Sequence, residues 1–101
     1  MSDELVLSDT EGTIAVPAAT LARMVATAAE LADGVRVRKP RRAVDVEVSG
    51  DSATVTLRLA ARYGSVLPTL AEDVQRQVAG ALEQMCGLEV RSVDVAIEEL
   101  V

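Results

Sequence analysis

A chain of 101 residues, half of them apolar and carrying a net charge of −6, is long enough for one hydrophobic core and too short for two. With no histidine and a single cysteine, it excludes Ser-His and Cys-His nucleophile pairs, an internal disulfide and the usual zinc sites. The N-terminus is acidic where a secretory signal is basic, and no apolar run approaches the ~20 residues of a membrane span, so a soluble, cytoplasmic protein is expected.

Residues 1–11 are polar and acidic apart from Leu5-Val6-Leu7, and read as a tail with at most a short edge strand. Residues 12–101 read as one domain. Gly12-Thr13-Ile14-Ala15-Val16 is a short strand ended by Pro17, which suits the first turn of a helix because its missing N–H has no partner there. Leu21, Met24, Val25, Ala28 and Leu31 recur at helical spacing, with Arg23, Thr27 and Glu30 opposite. Gly34 is a natural stop for that helix.

Residues 36–42 hold five of the ten basic side chains: Arg36, Arg38, Lys39, Arg41 and Arg42. Pro40 cannot donate to a ladder, so this stretch reads as a connection or an edge. Ala43 to Ser49 is a strand, and Gly50-Asp51 turns it into a second one. Setting Ser49 against Ser52 brings Val48 to Ala53, Val46 to Val55 and Val44 to Leu57, with Asp45 and Glu47 facing Thr56 and Thr54 on the other side. That register places every apolar side chain on one face.

Tyr63-Gly64-Ser65 breaks the period of two. Ser65 is the expected cap of a long helix whose stripe is Leu67, Leu70, Val74, Val78, Ala81, Leu82 and Met85. Gly87 stops it. Leu88, Val90, Val93, Val95 and Ile97 form the last strand, but their parity changes between Val90 and Val93. One extra residue near Arg91-Ser92 restores a common face, which predicts a bulge there. The strand, crossover helix and strand fit two parallel neighbours. The fold expected is α+β: a small mixed sheet of about four strands with two helices on one face, in the order strand-helix-strand-strand-helix-strand. A core of Val, Ala and Leu packs thinly, for a stability on the order of 5–10 kcal/mol.

The basic run is the one feature above background. It reads either as a solvated loop offsetting the acidic chain or as a docking patch for an acidic partner, anionic lipid or nucleic-acid phosphate, with an acidic protein surface the favoured target. Five basic against sixteen acidic residues elsewhere, and no aromatic nearby to stack bases, weigh against nucleic acid. A nucleic-acid-binding regulator is the alternative. Tyr63 reads as a plug at the end of the core, Cys86 as a buried, inert thiol at a helix C-terminus, and Glu98-Glu99 as solvated carboxylates. No catalytic residue, metal or cofactor is expected, and the chain reads as a non-enzyme.

Over residues 12–97 the ordered motifs resemble the alkaline shock protein family of Gram-positive bacteria. The carriers are Gly12-Thr13-Ile14-Ala15-Val16, the Ala-rich helix ending at Gly34-Val35, Arg62-Tyr63-Gly64, Val74-Gln75 with Val78, and Met85-Cys86-Gly87-Leu88-Glu89-Val90 with Val93-Asp94-Val95. Cys86 stands where the family often has Thr, and the run after Val35 is denser in Arg than the family pattern. The resemblance implies a compact α+β domain without catalytic residues that serves the cell-envelope stress response or envelope homeostasis through assembly. It implies a homo-oligomer, and a small membrane-anchoring protein as a partner that would hold the chain at the membrane peripherally.

Overall fold

A computed structural model of the chain describes residues 4–9 and 12–101, with side chains described from Val16 onward. The elements in order are β1 (Glu4–Asp9), β2 (Gly12–Pro17), α1 (Ala18–Ala29), β3 (Val35–Arg36), α2 (Pro40–Ala43), β4 (Val44–Ser49), β5 (Ser52–Ala61), α3 (Leu67–Cys86) and β6 (Glu89–Leu100).

In β5 the alternation is realised directly: Ala53, Val55, Leu57 and Leu59 are buried while Thr56 and Arg58 are exposed. β4 pairs with it antiparallel in the predicted register, Val44 opposite Leu57, Val46 opposite Val55 and Ser49 opposite Ser52. β6 runs parallel to β5 along the whole of Ser52–Ala61. It therefore occupies one edge of β5, and β4 and the two-residue β3 share the other, β3 setting Val35 against Ala61 and Arg36 against Ala60. The sheet is mixed and four-stranded, and α1 and α3 lie on one face of it, as expected. The opposite face carries Asp45, Glu47, Thr56, Arg58, Ser92 and Asp94, all exposed.

The predicted bulge is present. Val90 faces Ala53 and Ser92 faces Thr54, so Arg91 is the extra residue. A second register shift makes Glu98 extra, because Ile97 faces Leu59 and Glu99 faces Ala60. α3 ends as expected at Gly87, whose φ of 66° is in the left-handed region that glycine tolerates. The N–H of Leu88 donates to the Leu82 carbonyl at 3.4 Å and that of Gly87 to the Glu83 carbonyl at 3.1 Å, which satisfies the last turn.

Several details differ from the sequence reading. The Gly12–Pro17 strand does not join the sheet; it pairs antiparallel with β1, so the stretch read as a tail contributes a strand, and residues 1–3 and 10–11 lie outside the described residues. β3 supplies the fourth strand instead. Ser65 does not cap α3: the N-cap is Val66, without a side-chain bond. Val48 is exposed and Val46 half-buried, because both lie towards the hairpin end of β4.

The helices bury less of their long side chains than the stripes imply. α1 buries Leu21, Ala22, Val25, Ala26, Ala28 and Ala29, and α3 buries Leu70, Val74, Val78 and Leu82 at steps of four. Alanines form most of the buried face of α1; Leu31, in the turn just beyond it, is 69% exposed, and Met85 of α3 is 67% exposed. Val25, Val55, Leu57, Val74, Val78 and Leu82 make the sealed centre. Emptying it is costly: Leu57→Ala is expected to destabilise by about 3 kcal/mol, from lost transfer energy plus the cavity left behind. Val48→Ala should cost less than about 1 kcal/mol. Urea denaturation of the two variants beside the wild type checks both values.

Candidate partner-binding surface

The division of one β5 edge between two strands shapes the basic segment. β3 ends opposite Ala60 and β4 begins opposite Leu57, which leaves Arg58 and Leu59 unpaired on that side. The chain between the two strands has to leave the ladder and return within a few residues. It does so in steps set by the sequence. Val35 and Val37 are buried while Arg36 and Arg38 point out, so the extended alternation continues past β3. The Val37 N–H donates to Glu30 Oε2 at 3.0 Å, fastening this stretch to the end of α1.

Lys39 then takes φ 49°, ψ 70°, a left-handed conformation that costs a non-glycine residue about 1–2 kcal/mol. Pro40 opens the short α2, where its fixed φ fits the first helical position. The N–H groups of Arg42 and Ala43 donate to the Lys39 carbonyl at 2.8 and 3.1 Å. Ala43 is buried, and Arg41 and Arg42 are exposed. All five basic side chains, Arg36, Arg38, Lys39, Arg41 and Arg42, thus face solvent.

Three of them meet side chains from the neighbouring strands. Arg38, Lys39 and Arg42 line a cleft of about 260 Å³ with Arg58 of β5 and Glu98 and Glu99 of β6, over a floor of Ala43, Leu59 and Ala60. Arg58 donates through Nη2 to the Arg42 carbonyl, closing α2 down onto the gap in the ladder. Arg58 Nε lies 3.9 Å from Glu98, and Arg38 Nη1 lies 3.2 Å from Glu99. The carboxylates read from sequence as solvated are exposed and also ion-paired, because the bulged end of β6 delivers both to this cleft. The side chains in these pairs are at least half exposed, so each pair contributes about 0–1 kcal/mol. Four cations against two carboxylates leave the cleft positive. Among the described residues, Arg36, Lys39, Arg41 and Arg42 have no ion pair.

Arg58, Glu98 and Glu99 were outside the site that the sequence marked. Their signal was the outward parity of Arg58 on β5 and the parallel neighbour that brings the end of β6 alongside it. The basic run alone was legible because it is local.

The other two candidates change. Tyr63 does not plug the core: it is 78% exposed, because β5 ends at Ala61 and the turn carries the ring outward. Its N–H donates to the Val101 carbonyl at 2.7 Å. Cys86 is half-buried, and burial pushes its thiol above the usual range, which disfavours the thiolate. Among the described residues no group of three His, Cys, Asp or Glu side chains could hold a metal ion. No helix there is long and apolar enough to cross a membrane.

The left-handed residue gives a direct check on this geometry. Lys39→Gly removes the steric conflict of Cβ and is expected to raise stability by up to about 1 kcal/mol, partly offset by a freer unfolded chain. Lys39→Val should lower it, because a β-branched residue resists this conformation. Thermal denaturation of both variants measures the difference.

Among solved structures, the zinc form of a MamM CTD variant superposes with a TM-score of 0.51 at 17% identity, over 80% of this chain and 84% of that one. At that identity the likeness is one of fold, and the zinc is a property of that protein alone. No curated protein matches the chain. A family model does: residues 4–101 match that of the alkaline shock protein 23 family, described by a cell envelope-related function. The match runs from β1 to the C-terminus and takes in the sheet, both long helices and the basic segment, so the chain belongs to the alkaline shock protein 23 family.

Proposed function

We propose that this protein is a non-enzymatic, self-associating interaction module of envelope stress or envelope homeostasis. It works in the cytoplasm and reaches the membrane through a partner that docks on the basic segment. The observation that carries the self-association is the outer edge of β6. Among the described residues no strand lies against it, and it contains neither proline nor lysine, the usual guards of an edge. The bulges at Arg91 and Glu98 bracket an uninterrupted run, Ser92–Ile97.

That run is complementary to itself. Antiparallel pairing about a two-fold axis at Val95 sets Val93 against Ile97 of a second copy and Asp94 against Ala96. Beyond the run it sets Val90 against Leu100 and Arg91 against Glu99. Apolar meets apolar on the core-facing side, one opposite-charge pair forms at each end, and no like charges are directly opposed. An isologous dimer with one continuous sheet follows.

The expected result is a mass above the monomer in light scattering at high micromolar concentration. In a Cys86→Ser background, Val95→Cys is expected to cross-link to dimers on oxidation. Opposed antiparallel Cα atoms lie roughly 4.5–5.5 Å apart, within disulfide reach. A monomer mass from micromolar to millimolar concentrations overturns the self-association.

For the basic segment, an acidic protein surface fits better than nucleic acid, since the chain's net charge of −6 opposes a long polyanion and its one aromatic, Tyr63, offers no platform for stacking successive bases. Replacing Arg41 and Arg42 together by Glu is expected to abolish partner recruitment and to leave the thermal midpoint almost unmoved, exposed charges contributing about 0–1 kcal/mol each. Raised salt should mimic part of the loss. Microscopy of a fluorescent fusion in the native host reads this out; an unchanged distribution would reduce the run to a solvated loop. A salt-sensitive shift of labelled RNA or DNA would favour the nucleic-acid reading instead.

A further inference from the structure

We infer that the seam between α1 and α3 is a docking groove for one amphipathic helix with acidic flanks. The seam holds a cavity of about 590 Å³, floored and walled by Met24 and Ala28 of α1, Leu31 of the turn that follows it, and Gly80, Ala81 and Met85 of α3. Its lining residues span Thr20 to Leu31 and Arg76 to Met85, roughly 14–17 Å at 1.5 Å per residue. That length accommodates about three turns of a third helix laid in the valley between two others, read by anchors at helical spacing.

Two independent features point to an occupant and to its charge. Gly80 sits inside α3, where glycine is the least favourable residue after proline. Nothing among the described residues requires it: a Cβ built there meets no atom of theirs within 4 Å. The missing side chain is explained by a backbone that approaches from outside.

The rim supplies the second feature. Arg23 of α1 and Arg76 of α3 flank the groove, and among the described residues no carboxylate lines it, although the chain has sixteen acidic residues and ten basic ones. Asp73 holds Arg76 at 3.6 Å from the same helix. A second copy seated symmetrically on this groove would bring arginine rims together. A helix with glutamates on both flanks would meet them with opposite charge.

The test uses the full chain and two fluorescent peptides of about four turns, each with one leucine face, one flanked by Glu and the other by Lys. Anisotropy titration is expected to give saturable binding of the Glu-flanked peptide and binding at least tenfold weaker for its Lys-flanked counterpart. Gly80→Leu fills the floor and should cut binding of the Glu-flanked peptide by tenfold or more, while the thermal midpoint holds or rises because leucine favours the helix. Arg23→Glu with Arg76→Glu should reverse the charge preference. Equal binding of the two peptides, no saturable binding, or unchanged binding to Gly80→Leu overturns the inference. Loss of self-association in Gly80→Leu also overturns it, since the groove would then be a contact between copies. Cross-linking through Val95→Cys reads the β6 edge separately, so either idea can fail without the other.

Discussion

A strand has two edges, and the use made of the two edges of β5 decides most of this structure. Parallel β6 takes one of them whole, so both antiparallel neighbours have to share the other. Two strands on one edge cannot meet without a break, and the break falls opposite Arg58 and Leu59. The intervening chain is pushed off the sheet at that point, with Lys39 in a left-handed turn and α2 folded over the gap. The basic segment is exposed and clustered for this reason. The same constraint brings Arg58 beneath it and, through β6, the two glutamates beside it.

The core is built from small side chains, and that choice has effects at its margins. Alanines on α1 allow it to approach the sheet closely, and valines and leucines on α3 fill steps of four above β5 and β6. Close approach leaves no depth for long side chains at the ends of the two helices. Leu31 and Met85 are therefore displaced to the outer seam, where they border a groove that the other described residues do not fill.

What could be read from the residues was whatever depended on short range and parity. The β4–β5 register followed from matching Val44, Val46 and Val48 to alternate β5 positions, and the Arg91 bulge from a change of parity along one strand. The Glu98 bulge escaped because its one apolar marker, Leu100 after Ile97, is the last residue of the strand, with no further alternation to fix its phase. Serine favours caps, so Ser65 reads as one from sequence, yet the turn brings Val66 to that position. Alanine blurred the helical stripes: counted as weakly apolar, Ala22, Ala26 and Ala29 gave no sign that they, rather than Leu31, face the sheet. The cleft was half legible. Arg36, Arg38, Lys39, Arg41 and Arg42 are adjacent in sequence, while Arg58, Glu98 and Glu99 join them only through the order of strands.

Tyr63 is the sole aromatic of the chain, and it projects from the turn after β5 with its backbone tied to Val101. Its ring is in water before the core melts and in water afterwards. Near-ultraviolet absorption and intrinsic emission are therefore nearly blind to the state of the valines and leucines beneath it. They report instead on whatever covers that turn, which makes the native chain an optical sensor of contacts at one end of its sheet.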